Sequence, residues 1–314
     1  MARILDYDKH FSEVSQQQKL DLLCKFINGG NYSYGILVDS QTRWVFDELR
    51  NLPPNSFLPV QINAGPLLSL RDVYQPSFDI VELVNSNKIE LFVHLPFCIN
   101  FHQSPSKLGY LRSYFEQLFN VYRAVGIKAT FVLHVSYHKF NDPDYTKEKA
   151  INNFITNYHK NLYDVPGKIA IENLVGSNNH PIDCSSSMYV FENYVPVLPN
   201  CKLCIDTEHA WAQGIEYGVL KDFITKAKDS IALIHLNFSP FNIAFGSRID
   251  LHSYTSYKVT SSRNHMMIPG STQPEVYDIK DLLERISGIP TVFERAYLEI
   301  MLLDAFDMIE ISNH

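Results

Sequence analysis

A chain of 314 residues with 46% hydrophobic and 13% aromatic side chains holds enough apolar material for a large core, and 19% charged residues is too few for a disordered chain. The formal charge of −7 excludes a generic nucleic-acid binder with a basic surface, unless several divalent cations share one cleft; three of them would bring −7 to about −1. No apolar run approaches the roughly 20 residues that span a bilayer, so no membrane partner is expected, and the polar stretch Met1 to His10 does not read as a signal peptide. The five cysteines, at 24, 98, 184, 201 and 204, are an odd, sparse set that fits a reducing, intracellular setting. Cys201 and Cys204 have CxxC spacing but fall in a predicted strand, where residues three apart face opposite ways, which argues against a zinc knuckle.

Residues 1–30 read as a helical extension docked on the rest. From Phe11, apolar residues at 14, 20, 22, 23, 26 and 27 make an imperfect helical stripe that Gly29-Gly30 stops. The remainder, 31–314, alternates strand and helix as one domain. Tyr34 to Val38 is a strand, followed by a helix with Trp44, Val45, Phe46 and Leu49. Phe57 to Ile62 is a second strand, and Phe78 to Val84 a helix. Ile89 to Val93 is a strand, apolar apart from Glu90, ending at His94. Leu108 to Val125 is an amphipathic helix closed by Gly126. Ala129 to Leu133 ends at His134, and Lys147 to Leu162 is helical. Lys168 to Ile171 ends at Glu172, and Ser187 to Val197 is helical. Lys202 to Ile205 ends at Asp206, with Leu220 to Ala227 helical after it. Ile231 to Ile234 ends at His235. An irregular stretch then runs to about Glu275. Val276 to Ile286 is a helix, Thr291 to Phe293 a strand ending at Glu294, and Tyr297 to Ile309 a final helix. Eight strand–helix repeats are the number that closes a (β/α)₈ (TIM) barrel, an α/β fold of about 250 residues. A doubly wound open sheet is the alternative, but neither GxGxxG nor a P-loop is present.

Six consecutive strands end in His, Asp or Glu, types that together fill 46 of 314 positions. A single polar residue at a strand tip is an ordinary hydrogen-bonding partner. Six on one rim are costly without cations, because desolvated like charges cannot all ionise. Metal ions remove that cost, and a mixed His and carboxylate shell suits zinc, with manganese or iron as alternatives. On its own, Asp206 also reads as the N-cap of the helix that carries His209. In Gly246-Ser247-Arg248-Ile249-Asp250-Leu251-His252, the Asp250 and His252 side chains lie on one side of an extended segment and would form a third cluster with His209.

The sequence resembles the endonuclease IV family of apurinic/apyrimidinic (AP) endonucleases. The matching segments are His94 with Ile99-Asn100, Val132-Leu133-His134, Ile171-Glu172-Asn173, Cys204-Ile205-Asp206-Thr207-Glu208-His209-Ala210-Trp211, His235-Leu236-Asn237, Gly246 to His252, and Phe293-Glu294. The resemblance implies a zinc-dependent (β/α)₈ barrel with three zinc ions: one on His94, His134 and Glu172; a second on Glu172, Asp206, His235 and Glu294; a third on His209, Asp250 and His252. It implies catalytic roles for Glu172 and Glu294. The chain departs from the family at Phe238, at Phe97, in the first strand Gly35-Ile36-Leu37-Val38, and in Ser253 to Met267 ahead of Ile268-Pro269-Gly270. The divergent first third and the compact Asn63-Ala64-Gly65-Pro66 loop are similar to members carried by large DNA viruses.

The implied activity is hydrolysis of the phosphodiester 5′ to an abasic site in duplex DNA, leaving 3′-hydroxyl and 5′-deoxyribose phosphate, as in base excision repair. Leu67 (with Leu68), Phe97, Asn237 and Arg248 are the candidate DNA contacts; for Leu67, Leu68 and Phe97, packing of rim residues on neighbouring loops is at least an equal reading. A monomer is expected, in nucleus or cytoplasm, or for a viral member in the host cytoplasm, viral factory or virion. A metal-dependent sugar isomerase or epimerase on the same barrel is the first alternative, a DNA-binding barrel without catalysis the second.

Overall fold

The computed structural model describes residues 14–39, 42–64, 78–96, 99–135, 146–174, 186–212, 215, 217–236, 265–267, 276–294 and 298–313. Helix α1 (Gln16–Gly29) opens with a capping box: the Ser15 hydroxyl accepts from the Gln18 N–H, and the Ser15 N–H donates to the Gln18 side chain at 2.8 Å. Gly30, at φ 71°, closes it in the left-handed conformation that glycine adopts without strain. Phe26 on α1 meets Phe306 edge-on, with ring centroids 6.2 Å apart, so this helix lies against the last one.

The barrel strands follow in order: β1 (Tyr34–Val38), β2 (Leu58–Asn63), β3 (Ile89–His94), β4 (Ala129–His134), β5 (Gly167–Glu172), β6 (Cys201–Asp206) and β7 (Ile231–His235). The helices between them are α2 (Val45–Leu49), α3 (Phe78–Asn85), α4 (Gly109–Ala124), α5 (Lys147–Leu162), α6 (Ser187–Asn193), α7 (Thr207–Ala212) and α8 (Tyr217–Ala227). A ribbon of β8 (His265–Met267) and β9 (Val276–Asp278) precedes α9 (Ile279–Ile286), β10 (Thr291–Phe293) and α10 (Leu298–Asn313). The sheet closes in the order β1-β10-β7-β6-β5-β4-β3-β2, every neighbour parallel, with β10 supplying the eighth stave between β7 and β1. This is the (β/α)₈ architecture with an N-terminal helix that the alternation predicts.

Several predicted boundaries shift: the second strand starts at Leu58 rather than Phe57 and the final helix runs to Asn313 rather than Ile309, and two changes are larger. Val276 to Ile286 is not one helix: Val276–Asp278 pairs antiparallel with His265–Met267, inside the stretch expected to be irregular, and the helix begins at Ile279. A β-branched residue followed by an aromatic favours a strand where a partner is available. The helix from Ser187 stops at Asn193 rather than Val197, because Pro196 disfavours helical backbone at the residue before it. Phe11, Leu67, Leu68, Phe97, Asn237, Phe238, residues 240–264 and Tyr297 lie outside the described residues.

Strand alternation divides the core in two. Outward-facing Val93, Phe131, Leu133, Ile169, Ile171, Leu203, Ile205 and Ile234 pack in the main core, which includes the apolar faces of α4 (Leu111, Phe115, Leu118) and α5 (Phe154, Tyr158). Inward-facing Phe92, Val132, Ala170, Cys204, Leu233 and Val292 form a separate buried layer inside the barrel. Each of these six stands two positions before one of the polar strand-end residues, so the inner layer is an apolar floor beneath them.

Candidate metal centre at the strand ends

Parity puts the polar residues inside. Residues two apart on a strand share a face, so an inward Phe92 dictates an inward His94, and likewise for Val132 and His134, Ala170 and Glu172, Cys204 and Asp206. For β7 the parity needs help. Leu203 pairs with Ile231, but Cys204 pairs with Leu233, so Ala232 is an extra residue on β7. Without that bulge Asp206 would stand beside Ile234; with it, Asp206 stands beside His235 and both face inward.

The resulting cluster is tight and mostly buried. Glu172, Asp206 and His235 are 0% exposed. His94 Nε2 lies 3.2 Å and His134 Nε2 3.3 Å from Glu172 Oε2. His235 Nδ1 lies 3.2 Å from Glu172 Oε1, 3.4 Å from Glu294 Oε2 and 3.8 Å from Asp206 Oδ2. Two overlapping His and carboxylate sets therefore form, His94/His134/Glu172 and Glu172/Asp206/His235/Glu294, beside a third grouping of Glu172 and His235 with the Cys204 thiol, each with one ligand atom per residue within 4.8 Å of the others. Glu172 belongs to both sets, offering Oε2 to one and Oε1 to the other.

The imidazole hydrogen bonds fix which nitrogens face the cluster. A carbonyl oxygen only accepts, so His94 Nδ1 donates to the Leu95 carbonyl at 2.8 Å and turns Nε2 toward Glu172. His209 Nδ1 donates to the Asn173 carbonyl at 2.8 Å. This is the arrangement by which metal-binding histidines are oriented. The Asn173 carboxamide also grips Asp206, donating to its carbonyl at 2.9 Å and accepting its N–H at 2.8 Å. Asp206 is at once cap and cluster member: Oδ1 accepts the His209 N–H at 2.7 Å, while Oδ2 faces His235. The simple N-cap reading and the ligand reading are thus compatible, since one carboxylate has two oxygens.

Burial would raise the Glu172 carboxyl, but His134 and His235 outweigh it and hold the group well below the usual carboxylate range. Burial pulls His94 down, yet the hydrogen bond to Glu172 and the charges of Glu294 and Glu172 leave it raised. His235 is likewise lifted well above its ordinary value, against burial, by the negative charges of Glu294 and Glu172. For His134 burial wins over Glu172 and the pKa falls. Burial pushes the Cys204 thiol up to about 12, which keeps it a neutral part of the floor. Glu172 Oε1, His235 Nδ1 and His134 Nδ1 are buried with no hydrogen-bond partner. Three carboxylates around unpartnered imidazole and carboxylate atoms are a donor set suited to a divalent cation.

Of the nine predicted ligands, the structure brings seven together: His94, His134, Glu172, Asp206, His235 and Glu294 in the two sets, and His209, whose Nδ1 lies 3.5 Å from Glu172 Oε1. Asp250 and His252 lie outside the described residues, as do the candidate DNA contacts Leu67, Phe97, Asn237 and Arg248. Sequence reasoning missed Gln61. It is fully buried two positions before the end of β2, accepts from His235 Nε2 at 2.8 Å, and donates through its own amide to Glu294 Oε1. The signal was a glutamine at an inward position between Val60 and Ile62.

The model of a family described as xylose isomerase-like TIM barrel matches residues 65–271, more than half the chain. The chain belongs to that family. Its barrel is similar to those of three solved structures. AsfvAP:AG gives a TM-score of 0.58 at 14% identity, over 88% of this chain and 98% of the other. Endonuclease IV from Thermus thermophilus gives 0.57 at 15%, over 88% and 98%. The 3-keto-D-glucoside 4-epimerase YcjR from E. coli gives 0.54 at 14%, over 90% and 99%. At such identities the likeness is one of fold, and it extends to both endonuclease and epimerase. No curated protein sequence matches the chain. No helix among the described residues is long and apolar enough to cross a membrane.

Proposed function

We propose that this family member is a zinc-dependent AP endonuclease of the endonuclease IV type, cutting duplex DNA 5′ to an abasic site to leave a 3′-hydroxyl and a 5′-deoxyribose phosphate. The observation that supports it is the pair of donor sets sharing Glu172. Residues His94, His134 and Glu172 would hold one ion. Glu172, Asp206, His235 and Glu294 would hold a second, and His209 with Asp250 and His252 a third. The chemistry such ions supply when bound is Lewis acidity: an acidic water near neutral pH and compensation of charge on phosphoryl oxygens.

The chain's own residues do the rest. Glu172, fully buried and ionised, spans the two sets and fixes their separation. His94 and His209 are held by carbonyls so that Nδ1 carries the proton. Glu294 stands at the edge of the cluster, 14% exposed in its side chain, where it can reach both a water and the site. The apolar floor of Phe92, Val132, Ala170, Leu233 and Val292 excludes solvent from below. Four carboxylates against three Zn²⁺ leave the cleft near +2, which attracts a phosphate even on a chain of charge −7. An abasic nucleotide also costs less to unstack than a paired base.

A sugar isomerase or epimerase is the second reading, favoured by one observation: the two His and carboxylate sets would be enough for such chemistry. A duplex with one abasic analogue separates the two. A single cut on its 5′ side supports the endonuclease, whereas turnover of free sugars with the duplex left intact supports the isomerase. Tight abasic binding with neither activity indicates a barrel that binds DNA without cutting it.

A further inference from the structure

Gln61 is a buried carboxamide in a strand whose other polar side chain, the terminal Asn63, is exposed, and such a placement costs stability unless both ends are hydrogen-bonded. Both ends are. The orientation follows from chemistry. The Glu294 carboxylate can only accept, so the Gln61 amide nitrogen must face it and donate. The Gln61 carbonyl oxygen is then the end that meets His235 Nε2 at 2.8 Å, so Nε2 must carry a proton. That leaves His235 Nδ1 as the ring nitrogen turned to Glu172 and Asp206, which is where it lies.

We infer that Gln61 is a positioning residue of the metal centre: one carboxamide fixes the ring nitrogen through which His235 binds an ion and ties one oxygen of Glu294, leaving the other to the same ion. This rests on the reading that ions bind at the strand ends. It makes β2, which contributes no ligand, part of the centre. His94 and His209 take their orientation from backbone carbonyls, which any sequence provides; His235 takes it from a side chain, and mutation can remove it.

The test compares the full chain with Gln61→Leu, which removes both hydrogen bonds at similar volume, and Gln61→Glu, which keeps an acceptor for His235 and loses the donor to Glu294. Zinc stoichiometry is taken by elemental analysis and affinity by competition with a chromophoric chelator. The metallated nitrogen of His235 is read from 15N shifts of the zinc-loaded protein, and folding from circular dichroism. Wild type should show His235 metallated at Nδ1 with Nε2 protonated. Gln61→Leu should bind one zinc about 10–100-fold more weakly, the cost of losing a supporting partner, with the His235 pattern mixed. Gln61→Glu should keep the Nδ1 pattern, and supplies the test if the leucine variant does not fold. Zinc-binding wild type with Gln61→Leu matching it in affinity and nitrogen pattern overturns this inference alone, as does metallation at Nε2 in Gln61→Glu. Wild type that takes up no zinc overturns the metal reading and this inference with it.

Discussion

Glu172 carries more of the site than any other residue, because its two oxygens serve different donor sets. Glu172→Gln keeps the volume and removes the charge. It should weaken zinc binding at both sets by more than the roughly 100-fold that loss of a mere supporting partner costs, measured by chelator competition, while circular dichroism stays that of wild type. Gly167 is a different kind of necessity. It opens β5 at φ 141°, and a Cβ there would sit 2.0 Å from the Ala129 carbonyl oxygen of the neighbouring strand. Gly167→Ala should therefore lower stability by about 1–3 kcal/mol or more, seen as a fall in melting temperature. The strand-end ligands were legible because each is the first polar residue after an apolar run. Gln61 was not, because it precedes the end of its strand by two positions, and because its role comes from His235 and Glu294, 174 and 233 residues away. Asp206 was legible twice, as cap and as ligand, and only the positions of its two oxygens reconcile the readings.

At the scale of elements, spacing alone predicts the eight barrel strands, since repeating strand and helix leaves a parallel barrel as the natural closure. It does not predict the bulge at Ala232, whose sign is a register shift between β6 and β7. Nor does it predict the β8–β9 ribbon, where the pairing depends on two short segments meeting. The loop after β3 is held by α5: the Asn157 amide donates to the carbonyls of Phe101 at 2.8 Å and Gln103 at 2.9 Å, and Asn153 donates to that of His102 at 2.9 Å. Asn157→Ala leaves two carbonyls without that donor and should cost about 1–3 kcal/mol, again as a lower melting temperature. The capping box of α1 is worth less. Ser15→Ala should cost about 1 kcal/mol, and because α1 lies against α10 the loss should appear in the melting of the whole protein.

For the whole molecule, the ionisations predict opposite pH behaviour with and without metal. In metal-free protein the raised His94 and His235 contribute stability that is fully present below their unfolded value near 6.5 and is lost as pH rises through their higher folded values. The depressed Glu172 contributes stability present above about 4.5 and lost as pH falls through its folded value, and the lowered His134 adds to that acid-side loss. Chelated protein should accordingly melt lower at pH 9 than at pH 6.5. Bound zinc displaces the histidine protons, so loaded protein should lose this alkaline decline and instead release metal as the pH falls. The most direct measurement is the zinc content of protein purified without added metal, paired with its action on a duplex carrying one abasic analogue. Wild type should carry about three zinc per chain and make a single cut 5′ to the lesion; Glu172→Gln should lose the cut and the zinc of the two sets it joins, and Glu294→Ala the cut. One or two metals with the duplex left intact would contradict the endonuclease reading and leave the isomerase-type barrel as the better description.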